Sequence, residues 1–332
     1  MPTSDGDNTQ QAIQQRIKPT LDKVAVEGIR AWLKAIGLPA PALSRAAIDE
    51  HIAKLIVKKR LAEDALEAAL IGFEESSDMR IYLFRMDKRE AKNASKSIAG
   101  RVAQFGIPIV NKRKFAGERT HPMSPVYAHI EGDLFRAKWA EEQESVKVNP
   151  QGTGVDKKPI LKRAVLIADY STGTAELRLN PPENVHSYQD GSGRPNAATY
   201  YGAYLQKAHD VLGCEATLLE LRPVIKSLVE EDTPPLVRIH IDDHTNQKNY
   251  KTKTTGPKAD IRDDPDWQLG YKKNGHTWAW DAQSFYWLPK VSSGFLTREV
   301  FTHIDAEESF VKVNADCSND EVEYVVSQIR SR

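Results

Sequence analysis

The spacing of apolar residues changes character along this chain, and that change limits the folds open to it. Between Leu21 and Phe73 apolar side chains return every third or fourth residue, the period of a helix with one buried face. Leu21, Val24, Ile29, Trp32, Leu33 and Ile36 make one such series, closed by Gly37, Leu38 and Pro39. Ser44 offers an N-cap oxygen to a second helix carrying Ile48, Ile52, Leu55 and Ile56, which ends in the basic run Lys58 to Arg60. Leu61, Leu66, Ala69, Leu70 and Phe73 make a third, with Glu63 and Asp64 in its first turn. Short connections pack these helices into a bundle over 21–87, preceded by a flexible N-terminus at 1–20.

Beyond Arg119 the period falls towards two. Val126 to Ile130 and Leu134 to Trp139 flank Glu131, Gly132 and Asp133 as a hairpin, and Ala164 to Ala168 with Ala175 to Leu179 form another. Glu141 to Pro159 and Asn180 to Asn196 read as long exposed loops. A helix at Thr199 to Leu212, a strand at Ala216 to Leu221, a short helix at Pro223 to Glu230 and a strand at Leu236 to Ile241 follow. Regular βαβ alternation is missing. The expectation is an α+β fold: an N-terminal helical bundle, then mixed, mainly antiparallel sheet with helices. Its segments are 88–235, a basic helix plus α/β domain, and 236–332, a β-rich aromatic domain. The latter holds Trp267, Trp278, Trp280 and Trp287, expected to be core, and closes with a helix capped by Ser318.

Charge is segregated along this frame. The chain of 332 residues has 46 Lys and Arg against 46 Asp and Glu. Yet Lys88 to Arg119 sets nine cations against Glu90 and Glu118, leaving the segment seven charges positive and the remainder seven negative. Over Arg85 to Phe105 a helical turn of about 100° per residue sorts Ala91, Ala94, Ile98, Val102 and Phe105 onto one stripe. Arg85, Arg89, Lys92 and Lys96 fall on another, roughly 150° away. Arg101 and the loop cations Lys112, Arg113 and Lys114 extend the basic region, and Lys248, Lys251 and Lys253 surround Tyr250 in a polar loop before the tryptophans. Cations on a rigid helix suit phosphates, and no base-reading signature accompanies them. A solvated basic face of a core helix has the same spacing.

Catalytic signals are sparse. GxSxG, Walker A, HExxH and helix-opening GxGxxG patterns do not occur. His240, Asp242 and His244 lie at strand spacing and form a possible metal set for a hydrolase or nuclease, although Arg238, His240 and Asp242 equally read as the polar face of a half-exposed strand. Asp260, Asp263, Asp264 and Asp266 read as a solvated loop, and Cys214 and Cys317 as free thiols. No cofactor is expected. Neither a membrane span nor a secretory signal is legible, so the expected place is the cytoplasm, with nucleoid or nuclear residence as variants.

The order of elements resembles that of the centromere protein N family. The likeness lies in the patterning around Ala47 to Met86, with its run Arg80 to Met86, in the basic helix Lys88 to Phe105, and in the strand pattern to about Glu230. It covers about two thirds of the chain and includes no diagnostic motif; the loop-rich Glu141 to Pro159 and the tryptophan-rich C-terminus depart from it. The resemblance implies a pyrin-like helical domain joined to a following domain in a basic groove on nucleosomal DNA. It carries over only to Arg89, Lys92, Lys96, Arg101 and Lys112 to Lys114. The expected function is non-enzymatic binding of nucleic acid, DNA or RNA, by its backbone within a larger assembly that includes a protein partner. The alternatives are the metal-dependent hydrolase and a protein interaction adaptor acting through a death-fold-like helical domain.

Overall fold

The structure, a computed structural model, describes residues 4–21, 24, 26–41, 44–76, 78–114, 124–148, 155–182, 197–230, 237–246, 248–253, 258–314 and 317–332. The first elements are α1 (Ser4–Leu21), α2 (Val26–Ala35), α3 (Arg45–Val57), α4 (Glu63–Glu74), β1 (Arg80–Met86), α5 (Lys88–Gln104), β2 (Ser124–Glu131), β3 (Leu134–Val148), β4 (Val155–Asp169) and β5 (Thr174–Leu179). They are followed by α6 (Ala197–Leu212), β6 (Ala216–Leu218), α7 (Arg222–Glu230), β7 (Val237–Asn246), β8 (Lys248–Lys253), α8 (Pro265–Asn274), β9 (Ala279–Trp287), β10 (Val300–Asp305), β11 (Phe310–Val313) and α9 (Asn319–Arg330). The fold is α+β with antiparallel strand pairing, as expected. Residues 1–78, 222–307 and 313–332 form one compact unit, and 79–221 with 308–312 form another. In sequence the second interrupts the first, whereas the pattern reading set boundaries at 87 and 235.

In the unit built on 79–221, strands run in the order β2-β3-β4-β5-β1, with β6 and β11 also on β1. Tyr82, Phe84 and Met86 alternate onto one face with Ala175, Leu177 and Leu179, Leu166 and Ala168, and Phe135 and Trp139. Ala91, Ala94, Ile98 and Val102 of α5 and Tyr200, Tyr204 and Val211 of α6 complete this core. Arg80 to Met86, grouped with the helical bundle by pattern, is therefore a sheet strand, paired with β5 from Arg80 and Leu179 to Arg85 and Thr174. Its residues Ile81 to Phe84 are all buried, so neither period shows in the sequence. Glu141 to Pro159, expected to be a loop, is instead largely the outer half of a hairpin whose two strands are 15 residues each. Its polar residues oppose one another: Glu141 faces Lys162 in register, and Lys157 Nζ lies 2.9 Å from Glu144 Oε2. Residues 183–196, in the loop expected at Asn180 to Asn196, lie outside the described residues.

In the other unit, α1 occupies a stretch expected to be flexible. Ile13, Ile17 and Leu21, four residues apart, are buried, and α1 packs on α3. These three are enough for an apolar stripe that a polar setting hides. At the other end of the chain α9 meets α4, where a side chain at Gly72 would stand 3.3 Å from Asn319 Cβ. Four strands pair as β8-β7-β9-β10, burying Val237, Ile239, Phe285, Trp287, Val300 and Ile304. Trp287 Nε1 donates to Thr302 Oγ1 at 3.0 Å. Trp267, Tyr271, Trp278 and Trp280 pack ring on ring; Trp280 is buried, while Trp278 keeps some exposure. Lys248 to Lys253, expected in a loop, forms the edge strand β8. The acidic group is not a solvated loop either: Asp260 caps a 3-10 turn, and Asp264 caps α8 by accepting from Asp266 N and Trp267 N. Among the described residues no helix is long and apolar enough to cross a membrane.

Candidate nucleic-acid interface

Helix α5 begins at Asp87, whose carboxylate accepts from Arg89 N at 2.9 Å and Glu90 N at 3.1 Å. One side of the helix is fixed by the buried residues Ala91, Ala94, Ile98 and Val102. Lys88, Arg89, Lys92 and Lys96 stand exposed on another, and among the described residues none of the four forms an ion pair. Two of them lie in the first turn, where the helix dipole disfavours positive charge. Lys88, Lys92 and Lys96 also follow one another at i, i+4, a spacing at which like charges repel by about 0.2–0.5 kcal/mol per pair. An ordinary solvated helix face relieves such strain by alternating signs; here the repulsion stands unrelieved. Phe105, assigned by pattern to the apolar stripe, lies past the helix end and is 47% exposed, and Ile107 takes the core position.

The structure separates the remaining candidates. Arg85, expected on the cationic stripe of the helix, is instead on β1, exposed, and alternation with Phe84 and Met86 turns it to the sheet face opposite α5. Arg101 is turned inward: its Nε donates to Val211 O at 3.1 Å, and Nη2 to Leu212 O at 3.0 Å and Ala94 O at 2.7 Å. It joins α5 to the last carbonyls of α6, which otherwise lack helical donors. Gly213, φ +69, lies against it: a Cβ there would come within 2.2 Å of Arg101 Cζ. The loop after α5 is held along the edge of β2, with Val110 N donating to Ala128 O and Ala128 N to Pro108 O, both at 2.8 Å. That places Lys112 and Lys114, both exposed, at the sheet edge, and Lys138 Nζ donates to Lys114 O at 3.1 Å. Arg113 is only partly exposed and is engaged by other groups. Arg119 lies outside the described residues. Lys253 is exposed on β8 in the other unit; Lys248 and Lys251 lie on the same strand, and their side chains are outside the described residues.

The metal set rested on strict alternation, and β7 does not keep it. Its pairing with β9 shifts register between Ile239 and Ile241, making His240 the bulged residue. The His240 ring packs at 5.6 Å from Tyr286 and 6.3 Å from Phe301. Burial, and then Lys253 and Arg238 nearby, hold its pKa below the ordinary histidine value. The side chains of Asp242 and His244 lie outside the described residues, and among the described residues no group of three His, Cys, Asp or Glu can hold a metal ion. Burial pushes the Cys214 thiol up, away from the reactive thiolate. Pattern reading missed Asp87 and Gly213 as the pieces that set α5 in place; the signals were present, an acid three residues before Glu90 and a glycine just past a helix end. No protein-family model matches this chain, and no curated protein matches its sequence.

Proposed function

We propose that this chain is a non-enzymatic protein that holds nucleic acid through the phosphate backbone, without strong sequence preference, as part of a larger assembly. One observation carries the reading: the exposed, mutually repelling cations Lys88, Arg89, Lys92 and Lys96 on a helix whose opposite side is locked into a core. A polyanion relieves that repulsion. Arg89 to Lys96 spans about 10 Å of helix, the axial rise of some three nucleotides of one strand. Lys112 and Lys114 extend the contact, Arg101 belongs to the scaffold, and Arg85, on the sheet face opposite α5, takes no part. The resemblance to the centromere protein N family supports the same use of these cations, with DNA as the first ligand to try and a protein partner beside it. The cytoplasm, or the nucleus of a eukaryotic cell, is the matching compartment.

The test is binding of a mixed-sequence duplex at low salt. Changing Arg89, Lys92 and Lys96 together to Glu abolishes binding while the melting temperature holds; unchanged DNA and RNA affinity in that variant refutes the proposal. A second reading, an adaptor for a protein partner, is favoured by a cleft of about 740 Å³ lined by Trp32 and Ala35 of α2, Tyr324 and Gln328 of α9, and Phe295. Phe295 is 66% exposed and stacks on Tyr324 at 5.7 Å. Concentration-dependent self-association that Phe295→Asp removes supports the adaptor; a monomer at all concentrations, with nucleic-acid binding intact, counts against it.

A further inference from the structure

The sheet of β7 to β10 has a second face, opposite Phe285 and Trp287. Residues paired across β9 share a face, so Arg238, Tyr286 and Phe301 stand in one row. His240, two residues after Arg238, shares their face and packs against both rings. Tyr286 and Phe301 lie 5.1 Å apart and tilted by 61°, and His240 meets both edge-on. All three rings are partly exposed. The solvent-facing side of an antiparallel sheet ordinarily carries polar residues; here three neighbouring strands each supply a ring.

These rings are fixed before any ligand arrives. The Arg238 guanidinium lies 4.3 Å from the centre of the Tyr286 ring and donates from Nη2 to Glu299 Oε2 at 2.6 Å. Arg238 is 7% exposed while Tyr286 is partly exposed, so the guanidinium braces the ring from a buried position. His240, held below its ordinary pKa by burial, Lys253 and Arg238, is neutral at pH 7 and presents a flat aromatic surface. Lys253 is exposed at the neighbouring edge strand. Flat, pre-set rings beside a cation fit stacked bases and a phosphate chain, and they fit any base because each has a π-face.

We infer that the face formed by His240, Tyr286 and Phe301, with Lys253 at its edge, stacks the unpaired bases of single-stranded nucleic acid. The inference rests on nucleic acid being this chain's ligand and adds a second contact that a duplex, with its bases already stacked, cannot use. The experiment measures the full chain against labelled oligothymidylate and oligouridylate of about 16 nucleotides, and against a duplex of equal length. Tyr286→Leu with Phe301→Leu keeps apolar volume and removes the stacking faces. Single-strand affinity is expected to fall about tenfold, with duplex affinity and melting temperature unchanged. A preference between the two oligomers assigns the natural ligand to DNA or RNA. Unchanged oligomer affinity in the double variant overturns the inference, and so does release of a self-associated form by that variant at constant oligomer affinity, which makes the face a protein contact. Should the double variant melt early, Lys253→Glu decides: wild-type oligomer binding overturns the inference, and weakened binding with an intact duplex affinity upholds it. A wild-type chain that binds duplex and neither oligomer refutes this inference alone, whereas one that binds no nucleic acid refutes the proposed function as well.

Discussion

Arg101 shows why counting charge differs from locating it. It is one of nine cations in the basic segment, yet its guanidinium is committed to carbonyls of α5 and α6. Arg101→Ala is expected to cost about 1–3 kcal/mol of stability and leave duplex affinity unchanged at temperatures where the variant is folded, as read by urea unfolding and a binding isotherm. Gly213→Ala adds strain from its positive φ and from collision with that pinned guanidinium. In a double-mutant cycle its cost should shrink once Arg101 is gone. His240 makes a pH prediction. Its folded pKa lies below the ordinary 6.5, so as pH falls past that value the unfolded chain takes up the proton first. The stability His240 contributes is complete above about pH 6.5 and declines through the folded pKa. His240→Gln should flatten the loss of urea resistance between about pH 7 and pH 5.

At the scale of elements, α5 sets folding preference against binding. Lys92→Glu turns the repelling series Lys88, Lys92, Lys96 into two attractive i, i+4 pairs and should stabilise the helix by about 0.5 kcal/mol. The same change should weaken duplex binding, so melting temperature and affinity move in opposite senses. In α9 the Ser318 and Glu321 capping box is complete, and Ser318→Ala should lower stability by about 1 kcal/mol in thermal unfolding. Both helices were legible in the sequence, α5 from its apolar stripe and α9 from its Ser318 cap. What escaped had a physical reason in each case. The outer halves of β3 and β4 are held by cross-strand charge pairs and carry no apolar alternation; β8 is a lysine-rich edge. The row of His240, Tyr286 and Phe301 depends on β7 pairing with β9 and β9 with β10, which brings together residues far apart in sequence and which no local period records. The candidate cations were legible as a group, while the inward turn of Arg101 was not.

For the molecule as a whole, neutrality conceals the field. With a pI of about 7.1 the chain should show little net migration near neutral pH, yet it should be retained by heparin at low salt because its cations are clustered. Changing Arg89, Lys92 and Lys96 together to Gln should reduce the slope of log affinity against log salt by about 3, one for each lost phosphate contact. An unchanged slope means that these residues do not meet phosphate.

The interrupted unit has a consequence for how the chain is made. Ser76 at the end of the helical region contacts Asn319, 243 residues later. At translation speeds of about 5–20 residues per second, α4 leaves the ribosome about 10–50 s before α9 exists to meet it. Leu66 and Leu70, buried in the finished protein, belong to α4, which waits through that interval, whereas α3 has α1 beside it from the start. The intervening 79–221 segment, whose sheet lacks only β11, has nearly all its partners during the same time. Synthesis therefore favours a nascent chain in which the middle completes its sheet while α4 keeps a face open to chaperones until the end arrives.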